Sequence, residues 1–181
     1  MKTPLWLLAL IFVASCGSTG PQVVIDSQSS ELRVRSSARS VMIHDISLPA
    51  YAEAVEISLR DEDGTLVEQK GQVWADAPAR AMSGVIVRNL STITGAQVAA
   101  DPWPLEGYPQ VEVTIRVEQM FARDDGSISL TGYYALRREY GRSAIRQFAI
   151  ERAGSPEAKA NLARAYDLAW RDLAEQIAKD L

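Results

Sequence analysis

Apolar positions along this chain fall into three patterns. The first is a solid block. Leu5 to Ala14 is uninterrupted apolar sequence behind Lys2, and Ser15, Cys16 and Gly17 follow it. As a helix rising about 1.5 Å per residue, the block would span about 15 Å, half of a bilayer's hydrocarbon core. That length predicts the apolar region of an export signal rather than a membrane span.

The second pattern alternates, as strands do. Val41, Ile43 and Asp45 interleave with Met42, His44 and Ile46, and Leu48-Pro49 ends the run because proline cannot donate a ladder bond. Residues 54–60 and 65–70 flank Asp61-Glu62-Asp63-Gly64, which reads as a hairpin. Val111, Val113, Ile115, Val117, Gln119 and Phe121 alternate with Glu112, Thr114, Arg116, Glu118 and Met120. This predicts a strand with one buried face. Asp124-Asp125-Gly126 turns it into a strand over 127–138, and Tyr140-Gly141 turns that into another over 144–152, an antiparallel meander.

The third pattern has the helical period. Met82, Val85, Ile86, Leu90 and Ile93 form one stripe, with Asp76 as expected N-cap, Pro78 in the first turn and Gly95 at the end. Ser155-Pro156-Glu157 opens a last helix that should run unbroken to about Lys179, with Leu162, Tyr166, Ala169, Leu173 and Ile177 buried and Trp170 beside them. Residues 97–110, with three prolines, read as a loop. The expected class is α+β: a single, mostly antiparallel or mixed sheet with two amphipathic helices packed on one face.

Residues 1–15 are thus a signal peptide, 16–39 a serine-rich lipidated tether and lead-in, and 40–181 a single domain. A flexible tether of about 10–20 residues would hold the domain about 15–25 Å off the membrane. Cys16 is the only cysteine, so no intramolecular disulfide can form, and a lone thiol on an exported chain calls for a use. Val13-Ala14-Ser15-Cys16 resembles the lipobox of bacterial lipoproteins, which implies acylation of Cys16, palmitate included. Gly17 stands where an inner-membrane retention signal would place Asp, so the outer membrane is the expected home. The full chain carries a net charge of −4, and loss of Lys2 with the signal makes it −5. That balance argues against nucleic acid as an electrostatic partner.

Candidate chemistry is sparse. His44 is the only histidine, and its apolar strand suggests a core histidine rather than the base of a periplasmic hydrolase. One histidine and one cysteine make no zinc set. The acidic glycine-ended segments lack the spaced ligands of a calcium loop and read as hairpin turns. No cofactor fingerprint is present, and no metal or other cofactor is expected. Trp103, set between Pro102 and Pro104, is the aromatic best placed for a protein interface.

Ser47-Leu48-Pro49-Ala50-Tyr51 after an apolar strand resembles the "LPxY" segment of the PqiC-like, ABC-type transport auxiliary lipoproteins. Val73-Trp74-Ala75-Asp76-Ala77-Pro78 is similar to that family's "WAxPL" segment, with the proline shifted by one and Ala79 in place of its leucine. Asn89-Leu90, Pro102-Trp103, the 111–121 strand and the closing helix follow in the family's order. Val23-Val24-Ile25-Asp26 departs from its tyrosine-led first strand. The resemblance implies a non-enzymatic, outer-membrane-anchored lipoprotein on the periplasmic face, auxiliary to an MCE/ABC-type intermembrane lipid transport system. Its partners would be an MCE-domain protein with its transporter, the membrane through the anchor, and further copies in a homo-oligomeric ring. Trp103, Tyr51 and Trp74 are the candidate partner interface. A general envelope-assembly lipoprotein without lipid cargo is the alternative.

Overall fold

A computed structural model describes residues 22–25 and 28–181, with the side chains at 70 and 71 left aside. Residues 1–15, expected to be a signal peptide, and Cys16 lie outside the described residues. The strands are β1 (Gln22–Val23), β2 (Ser40–Ile43), β3 (Glu56–Arg60), β4 (Leu66–Trp74), β5 (Gln97–Ala100), β6 (Val111–Arg123), β7 (Ile128–Arg138) and β8 (Ala144–Arg152). The helices are α1 (Ala50–Glu53), α2 (Pro78–Thr94), α3 (Pro156–Ala160) and α4 (Leu162–Lys179). Together they make an α+β body on one curled, mixed sheet.

β6 organises that sheet. One of its edges pairs with β7 along nearly its whole length, and β8 continues the meander beyond β7. Its other edge is shared. β2 lies parallel to its start, with Val41 beside Val111, and β3 lies parallel to its end, with Leu59 beside Ala122. β5 extends the sheet beyond β2, and β4 and then β1 extend it beyond β3. Antiparallel pairs and four parallel ones therefore mix, and the sheet is larger than the hydrophobic pattern suggests.

Three local expectations need correction. Residues 97–100 are not loop but β5, a short edge strand with Gln97 and two alanines, too weak in β-branched residues to register as a strand. The last helix is broken at Asn161, whose φ of −137° and ψ of 76° end α3, while its Oδ1 accepts the Arg164 N–H and caps α4. The N-cap of α2 is Ala77 rather than Asp76; Asp76 accepts the Ala77 N–H and pairs with Arg80 at 2.6 Å instead.

The strict alternation of β6 also fails. A bulge between Val117 and Gln119 places Glu118 and Gln119 both outward and turns Met120 into the core. Gly132 faces the bulge on β7. A Cβ there would lie 2.1 Å from the Arg116 carbonyl oxygen, so no larger residue fits the strands' close approach.

α2 and α4 pack on each other, α2 against β5 and α4 against β7 and β8. Met82, Val85, Ile86 and Leu90 from α2 meet a core that includes Trp170, Leu173 and Ile177 from α4 and Val41, Ile43, Val113 and Ile115 from the sheet. Gly95, at φ 70°, closes α2 as expected, its N–H returning to Ser91 O.

The folded body also begins before Ser40. Residues 28–39 are laid across the helices as a strap. The Gln28 N–H donates to Asp167, the Ser30 N–H to Asn89 and the Val34 N–H to the Ile93 carbonyl, each at 2.9 Å. The Ser30 hydroxyl reaches Glu175 at 2.6 Å and the Ser37 hydroxyl the Leu181 carbonyl at 2.9 Å. Ser30, Ser36 and Ser37 are thus hydrogen-bonding anchors for an otherwise irregular backbone, which composition alone does not distinguish from a linker.

Candidate docking surface

The candidate residues separate into two places. Trp74, a candidate for the partner interface, is only 6% exposed and lies in the core: its ring meets Tyr166 edge-on at 5.5 Å, and its backbone N–H donates to the Val55 carbonyl at 2.7 Å. Tyr51 is half-buried in the same neighbourhood, and its hydroxyl accepts the Met120 N–H at 3.1 Å. Burial pushes the Tyr166 hydroxyl's pKa up, and the nearby Tyr51 adds to the effect. Trp74 and Tyr51 thus converge on a buried tyrosine rather than on a free surface.

Trp103 stands apart, in the segment that follows β5 and a cis Asp101–Pro102 bond. Its ring is half-buried, and its Nε1 has no acceptor among the described residues. The same loop exposes Leu105 and, at 88%, Tyr108; Tyr140 in the β7–β8 turn is 79% exposed. The two loops are joined where the Glu139 N–H donates to the Gln110 carbonyl at 2.9 Å. Between them lies a groove of about 270 Å³ lined by Tyr108, Pro109, Glu112, Arg137, Arg138 and Glu139. The signal for Tyr108 and Leu105 was the proline-rich loop itself, which keeps its side chains off the core.

An ion cluster forms one wall. His44 is not a core residue: it follows β2, partly exposed, with Nε2 2.9 Å from a Glu112 oxygen and Nδ1 3.6 Å from Asp101. Its place is set by the backbone, because the His44 N–H donates to the Val113 carbonyl and so lays the ring beside Glu112 on the open face of β6. Arg137 across on β7 grips Glu112 through two nitrogens. That bond, with His44 helping against the cost of burial, holds the Glu112 carboxyl below the ordinary carboxylate range, and Glu112 in turn raises Arg137. A carboxylate so committed is a poor proton acceptor. The cluster's evident work is to tie the end of β2, the Asp101 loop, β6 and β7 together beneath the aromatic rim.

The acidic turns are hairpin turns, as their sequence suggests. Gly64 and Gly126 have φ of 84° and 82°, Asp61 accepts the Thr65 N–H at 2.7 Å, and Asp125 accepts the Ser127 N–H at 2.8 Å. Arg60 and Arg123 lie over the Phe121 ring between these turns, at 4.9 and 5.1 Å from its centroid. Among the described residues, no helix is long and apolar enough to cross a membrane.

Known structures share this architecture. A crystal structure of an uncharacterised protein is 18% identical, with a TM-score of 0.65 over 86% of this chain and 99% of the other. Protein XCC0632 from Xanthomonas campestris, of the family DUF330, is 19% identical, with a TM-score of 0.61 over 87% of this chain and 90% of its own. These likenesses concern fold. None of the curated proteins matches the sequence. The family match is broader than any motif: from residue 23 to residue 178, β1 through α4, the sequence follows the pattern of the ABC-type transport auxiliary lipoprotein component, and the chain belongs to that family.

Proposed function

We propose that this chain is a non-enzymatic docking lipoprotein of an MCE/ABC-type intermembrane lipid transport system. Acylated at Cys16, it stands on the periplasmic face of the outer membrane. Its loop end, rimmed by Trp103, Leu105, Tyr108 and Tyr140, meets the MCE-domain protein, and copies of the chain associate in a ring. Membership of a family of transport auxiliary lipoproteins carries the reading. The rim adds physical support. Large aromatic side chains on loops stiffened by proline lose little freedom on binding and are favoured as interface anchors. The reading asks no chemistry of His44, whose two nitrogens both face carboxylates.

The test is capture from detergent-solubilised membranes with a tagged full-length chain. An MCE-domain protein should be recovered, and Cys16→Ser should move the body to the soluble periplasmic fraction. Trp103→Ala combined with Tyr108→Ala should lower recovery about tenfold, the effect of about 1.4 kcal/mol of lost binding. Recovery of no envelope transport protein, or full recovery by the double variant, would count against the reading.

A further inference from the structure

The described chain enters the fold at one corner of the sheet. β1 pairs only with β4, Gln22 beside Val73 and Val23 beside Trp74. From Cys16 to Gln22 the chain takes six steps, which span about 20 Å at full extension. β6, at about 3.3 Å per residue, is itself about 40 Å long. A leash this short cannot present every side of the body to the bilayer equally.

At that corner two valines are open to solvent, Val24 at 66% and Val55 at 51%. They flank the end of β4 on its two sides, two strand spacings or about 10 Å apart. Trp74 donates its N–H to the Val55 carbonyl at 2.7 Å, and Ala75 donates to the Val23 carbonyl at 2.9 Å, so both strands meet at Trp74-Ala75. Beside them a groove of about 220 Å³ runs between β1 and α2, with Val23, Ile25 and Trp74 in it and the exposed Arg80 and Arg88 along it. Arg80 also pairs with Asp76.

We propose that this corner is the surface the protein turns to its own membrane. Val24 and Val55 rest at the headgroup layer, and Arg88, with Arg80, meets lipid phosphates. The proposal rests on acylation at Cys16, which keeps the corner at high local concentration beside the bilayer. A contact too weak to recruit a free protein is then enough to orient a tethered one. Orientation follows for the far end as well. β1 lies level with about residues 117–119 of β6, because Val73 faces Glu56 and β3 pairs with the end of β6, and Val111 is about 20–25 Å back along that strand. The Tyr108 and Tyr140 rim therefore points away from the membrane, toward whatever bridges the envelope.

The test uses the acylated full-length chain in vesicles of phosphatidylethanolamine and phosphatidylglycerol. Cys16 is the only native cysteine, so Val24→Cys, Val55→Cys, Tyr108→Cys and Tyr140→Cys each take a single fluorescent label. Lipids carrying a nitroxide on the headgroup should quench labels at 24 and 55 several-fold more than labels at 108 and 140. Equal quenching at the four positions, or stronger quenching at 108 and 140, in protein that floats with the vesicles would overturn the orientation and leave the anchor standing. Protein that does not float with the vesicles would overturn the anchor and the orientation together.

Discussion

Replacing Tyr51 with phenylalanine separates the two roles its sequence context allows. β2 and β3 share one edge of β6 and leave a gap between them. Up to Val117 that edge is satisfied by residues 44–47, with the Val117 N–H on the Ser47 carbonyl at 2.9 Å, and from Ala122 it is satisfied by β3. In the gap the bulge aims the Met120 N–H outward, and the Tyr51 hydroxyl receives it at 3.1 Å. Tyr51→Phe deletes that acceptor and little else. An unpaired buried backbone donor costs about 1–3 kcal/mol. This site is only partly buried, so the expected loss lies near the lower bound, about 1–1.5 kcal/mol. For a domain of this size that lowers the melting midpoint by about 2–6 °C. Urea unfolding of the Cys16→Ser chain measures the loss, and hydrogen exchange locates it: protection of the Met120 amide should fall about tenfold, the equivalent of 1.4 kcal/mol. Unchanged stability and unchanged protection at Met120 would refute the reasoning. Lost partner capture at full stability would return Tyr51 to the interface.

Other substitutions probe the same frame. Gly132→Ala should cost about 2–3 kcal/mol by chemical denaturation, because its methyl would meet the Arg116 carbonyl oxygen at 2.1 Å and force β6 and β7 apart; a loss under about 0.5 kcal/mol would show that the bulge yields easily. Asn161→Ala removes the cap of α4 and should lower stability by about 1 kcal/mol, read as a small shift in the thermal midpoint. Glu112 sets a pH dependence. Its folded pKa lies below the ordinary 4.5, so its contribution is present above that value and is lost as pH falls through the folded one. Glu112→Gln should flatten the acid limb of stability against pH, and an unchanged limb would mean that the Arg137 contact is too well screened to matter.

Much of the fold was legible because its local signals and its packing agree. The 61–64 and 124–126 turns, the meander and the two apolar stripes all follow from residue types whose conformational preference suits their place. What escaped were features created by the assembled sheet. β5 has weak intrinsic preference and exists because β2 offers it an edge, with Ser40 beside Gln97. The bulge that inverts Met120 answers the need of β6 to serve two neighbours on one side. In the strap of residues 28–39, Leu32 and Val34 mark a segment entering the fold, but its path could not be read, because its order depends on groups far along the chain, such as Asn89 and Glu175. His44 misled for a related reason: an apolar run does not say where a strand ends, and His44 lies just past that end. Of the candidate surface, proline-flanked Trp103 was readable. Tyr108 and Tyr140 join it only once the Gln110 and Glu139 backbones meet.

The two sequence segments most telling of family do their work inside the fold. In Leu48-Pro49-Ala50-Tyr51, Leu48 is buried, the Pro49 carbonyl accepts the Ala52 and Glu53 N–H groups to start α1, and Tyr51 closes the gap on β6. In Val73-Trp74-Ala75-Asp76-Ala77-Pro78, the strand's last residues bind β1 and the Val55 backbone, Trp74 packs on Tyr166, and Pro78 begins α2. Both segments sit where a parallel neighbour must join without a covalent hairpin, and such joints tolerate few sequences because a misplaced backbone group there is left unpaired. This is why membership could be read from a few short stretches while the proposed docking surface could not. The motifs report the difficult joints of the sheet, whereas the proposed docking rests on loop residues, such as Tyr108, whose side chains the fold leaves almost wholly free.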